Sequence, residues 1–309
     1  MNDIQLRINQ YLDYCLHQKR LDQKTIKAYS IDLRQFSNYI TETKLTEITQ
    51  DSLERYVSHL HQNYQPKTVK RKIASLKAMF HYFEYKGLIV QNPFNKMQIK
   101  FREPIILPKT IPLHTVEYLL KFIYNQQTNA KTEFQRKNAI RDAAICELLF
   151  ATGIRISELC SLNIADVNLQ DGIVLIYGKG SKERRIQLGN QEVLSSLENY
   201  KTEFFTEIAS CQNFFTNQSG KPLSDQAVRR MITKYSKLAA IELHITPHMF
   251  RHTFATSLLD ADVNIRYIQE MLGHSSINIT EIYTHVAISK QRDILISKHP
   301  RKDFNIHSI

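Results

Sequence analysis

The stretch T-P-H-M-F-R-H-T-F-A-T at 246–256 places two anion-binding side chains on one predicted helical face. Thr246 is a typical N-cap and Pro247 suits the first helical position, so we expect a helix to begin here. His248 and Arg251 are three residues apart and are therefore neighbours near the positive end of that helix. Backbone N–H groups at such an end have no partner within the helix and attract phosphate. The stretch therefore predicts an anion site.

A phosphodiester that is opened by a protein side chain needs cations on its non-bridging oxygens and a proton for its leaving oxygen. Arg155, in A-T-G-I-R-I-S-E-L, and Arg251 offer forked guanidinium groups that match the non-bridging oxygens. Glu158 follows Arg155 by three residues, so its carboxylate can hold that guanidinium in place. Lys179, in the turn G-K-G-S-K, is the predicted proton donor, and Lys182 of the same turn is an equal alternative.

Tyr283, in I-T-E-I-Y-T-H-V, is the predicted nucleophile. A tyrosine whose ordinary pKa is about 10 needs a proton acceptor to attack near neutral pH, and His248 would supply it. His274, in L-G-H-S-S, would donate a further hydrogen bond to the phosphate. Taken singly, such side chains are more often surface charges or satisfied structural residues. Only their combination favours catalysis.

The charge of the chain favours a polyanionic partner. Its 309 residues include 41 Lys and Arg against 30 Asp and Glu, a net charge of +11, and the first 100 residues hold 16 basic and 9 acidic residues. The sequence contains neither a long apolar run nor a secretory leader, so we expect a cytoplasmic protein with no membrane contact. Four scattered cysteines, with no C-x-x-C spacing, predict neither a disulfide framework nor a zinc site.

Three prolines in F-R-E-P-I-I-L-P-K-T-I-P predict a linker at 101–112 between two domains. In residues 1–100, apolar residues recur at steps of three and four, as expected of amphipathic helices. The helix predicted after Pro66 has Val69, Ile73, Leu76, Phe80 and Phe83 inward and a basic surface. The DNA-binding residues predicted on that surface are Lys67, Lys70, Arg71, Lys72 and Lys77.

Residues 113–309 are predicted to be helical except for a hairpin at 172–189, where an apolar run, a turn and an alternating strand follow one another. The polar stretch at 125–132 is expected to be a loop.

The ordered set Arg155, Lys179, His248-x-x-Arg251, His274 and Tyr283 resembles the tyrosine recombinase (phage integrase) family, most closely its compact Xer-type bacterial members. The likeness extends to T-I-K-A-Y-S-I-D-L-R-Q-F and L-P-K-T-I-P, and so covers nearly the whole chain. It implies a mainly α fold with an N-terminal helical, SAM-like core-binding domain over 1–100. It also implies an α-rich catalytic domain with a small antiparallel β-sheet over 113–309, the two domains forming a C-shaped clamp on duplex DNA.

The resemblance also implies a mechanism. The tyrosine attack leaves a 3′-phosphotyrosyl link and a free 5′-hydroxyl, which attacks the link on a second duplex and forms a Holliday junction without metal, nucleotide or other cofactor. Four protomers act on two double-stranded core sites and are joined by a C-terminal docking tail, here about 290–309. Asp262 stands where Xer-type relatives carry a glycine, and Asp tolerates the left-handed conformation expected there.

The expected function is therefore site-specific recombination, either in DNA integration and excision or in chromosome and plasmid dimer resolution. The sequence leaves open the target site, the biological task and the need for a second recombinase or a DNA translocase. One alternative is a type IB-like topoisomerase, which shares the chemistry, and another is a non-catalytic DNA-binding protein. A metalloenzyme that uses His248 and His252 is disfavoured, because Met249 stands where a zinc hydrolase needs glutamate.

Overall fold

The computed structural model describes residues 3–99, 108–178 and 183–273. The chain divides into two compact units, Met1–Ile105 and Ile106–Ile309. Within the described ranges the fold is mainly helical with a small antiparallel sheet, which confirms the predicted fold class. The sequence-predicted residues outside these ranges are Lys179, Lys182, His274, Tyr283 and the segment 290–309.

The described part of the N-terminal unit consists of helices joined by short turns. The α-helices are α1 (Asp3–His17), α2 (Gln23–Tyr39), α3 (Gln50–Asn63) and α4 (Pro66–Tyr85), with 3₁₀ turns at Leu45–Glu47 and Pro93–Lys96. Asp22 caps α2, because its carboxylate accepts hydrogen bonds from the backbone N–H groups of Lys24 and Thr25. Proline at the first position of α4 sets where that helix begins.

The core of this unit is rich in aromatic side chains. The five residues predicted to face inward on α4 are all buried: Val69, Ile73, Leu76, Phe80 and Phe83. Phe80 meets Phe36 of α2 edge to face, with ring centroids 6.1 Å apart. The periodicity of the sequence therefore identified the buried face of α4 correctly.

Lys72 does not lie on the basic surface of α4, and the prediction that placed it there is wrong. It belongs to the inward stripe between Val69 and Leu76, and its side chain is buried. Its ammonium donates a hydrogen bond of 3.0 Å to the wholly buried carboxylate of Asp32 on α2. Arg71 also pairs with Asp32 but remains partly exposed. Lys72 therefore neutralises a buried charge and is not available to a ligand.

The described part of the second unit contains eight α-helices. They are α5 (Leu113–Thr128), α6 (Glu133–Thr152), α7 (Ile156–Ser161), α8 (Gln191–Glu203), α9 (Phe205–Cys211), α10 (Asp225–Leu238), α11 (Pro247–Asp260) and α12 (Ile265–Leu272). Helix α5 extends through the first four residues of the polar stretch 125–132, so the prediction of a loop was wrong there. The side-chain amide of Asn129 donates to the carbonyl of Asn125 and covers the last turn.

The predicted hairpin is confirmed. Strands β1 (Val167–Asn168), β2 (Ile173–Tyr177) and β3 (Glu183–Gln187) pair antiparallel in the order β1-β2-β3. Val174 pairs with Ile186, and Ile176 pairs with Arg184. Because alternate residues of a strand share a face, Arg184 lies on the same face of β3 as the buried Ile186.

Helix α6 lies at the centre of the second unit, since its side chains are buried on nearly every side from Ala139 to Leu149. It ends at Gly153, which takes the left-handed conformation. Asp262, after α11, also has a positive φ of 63°, as expected for this position. The four cysteines all lie in the described ranges, three of them are buried, and no disulfide joins them. None of the described helices is both long enough and apolar enough to cross a bilayer.

We predict that Lys72→Met lowers the free energy of unfolding by about 3 kcal/mol, because it leaves Asp32 buried with less compensation. Lys67→Met is the matched control, since Lys67 is exposed on the same helix and should change the value by less than about 0.5 kcal/mol. Urea unfolding followed by circular dichroism measures both variants. Equal stability of the two variants would contradict a structural role for the buried pair.

Candidate functional site

Helix α11 begins as predicted, with Thr246 at the N-cap and Pro247 in the first turn, although the side chain of Thr246 makes no capping hydrogen bond. His248 is exposed, whereas Arg251 is 4% exposed. The two side chains therefore start from one helical face and reach different depths. Arg251 needs polar partners, because burying an unpaired guanidinium raises the free energy of the folded state.

Arg251 finds these partners at the ends of two other helices. Its Nη1 donates to the carbonyl of Gly153 at 2.7 Å, and its Nη2 donates to the carbonyl of Leu272 at 2.6 Å. Carbonyls at helix C-termini lack partners within the helix and carry partial negative charge. Arg251 therefore joins the ends of α6 and α12 to α11, and these bonds fix the plane of its guanidinium.

Gly153 is required at this point for two reasons. Its φ is +58°, a conformation that other residues rarely adopt. A Cβ at this position would lie 2.7 Å from Cδ1 of Phe254 and 2.9 Å from Cδ2 of Leu272. The glycine in A-T-G-I-R thus allows α11 and α12 to approach the end of α6 and brings the Arg251 acceptors within reach.

Glu158 holds two arginines. One carboxylate oxygen accepts from Nη1 of Arg155 at 2.7 Å, and the other accepts from the backbone N–H of Arg155 at 3.0 Å. The same two oxygens accept from Nη1 and Nη2 of Arg184 at 3.1 and 2.6 Å. The side chain of Glu158 is 7% exposed, whereas that of Arg155 is 34% exposed. The carboxylate is therefore enclosed, and Arg155 keeps a surface open to a ligand.

Sequence reasoning missed Arg184. Its side chain is 8% exposed and joins Glu158 to the carbonyl of Met271, which accepts from its Nε at 2.8 Å. The signal was present in the alternation of β3, where Arg184 and the apolar Ile186 share a face and the apolar Leu188 follows at the same spacing just after the strand. A cation on the apolar face of a strand indicates a buried partner.

The neighbouring arginines shift the pKa values of Glu158 and His248. Burial alone raises the pKa of Glu158, but the hydrogen bonds and charge of Arg184, together with those of Arg155, outweigh burial and hold the pKa below its ordinary value. Desolvation lowers the pKa of His248, and the charges of Arg229, Arg251 and Arg155 lower it further. His248 is therefore neutral near pH 7 and can accept a proton.

The second histidine of α11 lies in the same positive environment. Burial lowers the pKa of His252 to about 4, and His248 and Arg251 contribute to this shift. Across residues 3–99, 108–178 and 183–273, no group of three or more His, Cys, Asp or Glu side chains has an arrangement that could hold a metal ion.

The structure thus brings together Arg155, Glu158, His248 and Arg251 of the predicted set and adds Arg184 and Arg229. The oriented and partly exposed guanidinium of Arg155, beside a neutral imidazole, can bind a phosphate while the imidazole takes a proton from an attacking group, and the enclosed Arg251 adds positive charge close by. The surface of this site is formed by the start of α7 and the first turn of α11.

Comparisons with known proteins identify relatives of this chain. Residues 117–290 match the phage integrase family, and residues 8–87 match the phage integrase N-terminal SAM-like domain. The chain is 68% identical to a tyrosine recombinase of Agathobacter rectalis, over 99% of this chain and 100% of that protein. It is 34% identical to the tyrosine recombinase XerD of Listeria innocua, over 97% of this chain and 100% of that protein.

A solved structure shares the fold. The XerH site-specific recombinase, bound to its palindromic difH substrate in a post-cleavage complex, superposes with a TM-score of 0.73 at 23% identity. The superposition covers 93% of this chain and 83% of XerH.

We predict that Glu158→Gln lowers the free energy of unfolding at pH 7 by about 3 kcal/mol, because two arginines lose their shared carboxylate. The pKa of Glu158 is lower in the folded than in the unfolded protein. Its contribution is therefore complete above an unfolded pKa of about 4.3 and is lost as the pH falls through the folded pKa.

The difference between wild type and Glu158→Gln should accordingly stay constant from pH 7 to about pH 5 and shrink in more acidic solution. Urea unfolding at a series of pH values measures it. Glu117→Gln, which removes an exposed partner of Lys121, is the control and should change little. A pH-independent difference would show that Glu158 is not ionised in the folded protein.

Proposed function

From the premise that this chain belongs to the phage integrase family of tyrosine recombinases and is a site-specific recombinase, we propose that Tyr283 attacks a DNA phosphodiester bound by Arg155 and Arg251. The observation that carries this proposal is the common environment of Arg155, Arg251 and His248. One arginine is held by Glu158, the other by two helix ends, and both lower the pKa of the histidine.

The reaction forms one bond and breaks another at the same phosphorus. The phenolic oxygen of Tyr283 bonds to phosphorus, and its proton passes to His248, which is neutral and able to accept it. Arg155 and Arg251 stabilise the negative charge that grows on the non-bridging oxygens. His274 adds a hydrogen bond to the phosphate. The bond to the 5′ oxygen breaks, and Lys179 protonates that oxygen as it leaves.

Strand exchange follows from the products of this step. The 3′-phosphotyrosyl link retains an activated phosphate, so the free 5′-hydroxyl of a second duplex can attack it and regenerate Tyr283. Two such exchanges pass through a Holliday junction and need neither a metal ion nor a nucleotide. We propose that four protomers carry this out on paired core sites in the cytoplasm, joined through the segment 290–309.

The domain roles follow from charge and topology. Residues 1–100 form the core-DNA-binding domain, 101–112 the linker and 113–309 the catalytic domain. The DNA-binding surface is the exposed basic face of α4, which consists of Lys67, Lys70, Arg71 and Lys77. Positions 67, 70, 74 and 77 follow one another at helical spacing, so three of these cations lie in one row. Lys72 is excluded because it is buried.

The decisive experiment is the trapping of a covalent protein–DNA adduct. The probe is a nicked duplex whose site has been selected by binding from a randomised DNA pool, so that the short 5′ fragment diffuses away after cleavage. Wild type should form an adduct that resists denaturing electrophoresis. Tyr283→Phe should bind the duplex with unchanged affinity and form none, because it lacks the attacking oxygen.

Tyr267→Phe is the matched control, because Tyr267 is the exposed tyrosine of α12, and it should form adduct at the wild-type rate. An adduct that persists in Tyr283→Phe would assign the nucleophile to another residue. A parallel reaction in EDTA tests metal dependence, and loss of the adduct there would refute the metal-free mechanism.

The basic face of α4 makes a separate prediction about affinity. Lys67→Ala, Lys70→Ala and Lys77→Ala should each make the negative slope of log K against log salt less steep by about one unit, because each removes one phosphate contact. Fluorescence anisotropy of a labelled duplex at several salt concentrations measures the slope. Lys121→Ala is the control, since Glu117 already neutralises Lys121. Unchanged slopes in the three α4 variants would remove this face from the DNA-binding surface.

A further inference from the structure

Arg184 connects parts of the second unit that are far apart in sequence. It lies at the start of β3, two residues after Lys182 in the sequence. Its two terminal nitrogens bind Glu158, which also binds Arg155, and its Nε binds the carbonyl of Met271. Every nitrogen of this buried guanidinium thus donates a hydrogen bond to the protein, which fixes its orientation.

The end of α12 rests on this guanidinium. The carbonyl of Met271 accepts from Arg184, and the next carbonyl, that of Leu272, accepts from Arg251. Gly273 follows with a φ of +64°, and a Cβ there would lie 3.1 Å from Nη1 and 3.2 Å from Cδ of Arg184. The chain therefore leaves α12 in contact with Arg184, one residue before His274.

We propose that Arg184 is a positioning residue for DNA cleavage, which orients Arg155 through Glu158 and fixes the end of α12 from which the chain continues to His274 and Tyr283. This inference rests on the proposed function. The role differs from that of Arg155, because Arg184 is enclosed by protein atoms and acts through its neighbours. It would couple Arg155, through Glu158, to the end of α12.

The contacts favour positioning over stability alone. A buried ion pair contributes little net stability compared with apolar residues of similar size, since desolvation opposes the attraction. The planar fork of an arginine, in contrast, sets direction as well as distance. Glu158 would keep Arg155 as a partner without Arg184, but its carboxylate would lose two of the bonds that hold it in place.

Arg184→Met tests the role directly, because methionine fills the space without donating hydrogen bonds. Arg185→Met is the matched control, since Arg185 is the next residue of β3 and is exposed. With the nicked duplex described above at saturating concentration, Arg184→Met should slow adduct formation between about 10- and 100-fold, as for other residues that orient reacting groups. Its affinity for the duplex and the adduct rate of Arg185→Met should remain at wild-type values.

A double variant tests the path through Glu158. If Arg184 acts through this carboxylate, Arg184→Met combined with Glu158→Gln should slow the reaction by less than the product of the two single effects. Arg184→Lys covers the case in which the methionine variant does not fold. It retains the charge, but one ammonium cannot replace the fork that binds both Glu158 and Met271, so cleavage should still slow.

Hydrogen exchange gives a readout that does not depend on cleavage. Amides in 265–273 should exchange faster in Arg184→Met than in wild type and Arg185→Met. If Arg184→Met cleaves DNA and exchanges its amides at wild-type rates, the positioning role is overturned and the proposed function is not. The same holds if Arg185→Met slows cleavage as much as Arg184→Met does. Absence of an adduct in the wild-type protein would overturn the proposed function and this role with it.

Discussion

The site depends on one enclosed carboxylate. Glu158 is buried, and a buried charge must be paired and hydrogen-bonded if the fold is to tolerate it. It meets this requirement with the side chain and backbone of Arg155 and with the fork of Arg184. The same bonds that neutralise the carboxylate orient Arg155 towards solvent. Stability of the fold and orientation of Arg155 therefore share one cause.

Helix ends supply the remaining constraints. The carbonyls of Gly153, Met271 and Leu272 belong to helix C-termini, where backbone acceptors have no partner within the helix. Arg251 and Arg184 satisfy them and are oriented in return. The opposite polarity operates at α11, whose N-terminus favours an anion. The second unit thus places the guanidinium groups of Arg184 and Arg251 beside the negative ends of helices, and the positive end of α11 near the same groups.

The N-terminal unit shows how depth decides the role of a cation. Lys70 and Lys72 are two residues apart on α4, yet one is exposed and the other is buried against Asp32. Because successive residues turn by about 100°, a basic cluster in sequence is divided between opposite faces of the helix. Only the basic residues on the exposed face of α4 are accessible to a DNA backbone. They are fewer than all the basic residues of the helix.

The sequence by itself determined the features that depend on near neighbours. The start of α11 at Thr246 and Pro247, the inward stripe of α4 and the hairpin all follow from local turn chemistry and periodicity. The pairing of Arg155 with Glu158 belongs to this class, since one helical turn separates them. The burial of Lys72, the partners of Arg251 and the contribution of Arg184 were decided by tertiary structure. Their contacts join residues that are 40, 98 and 26 positions apart in the sequence. Such groups meet only when packing brings distant elements together. The spacing of residues along the chain does not indicate which partner a buried charge will have.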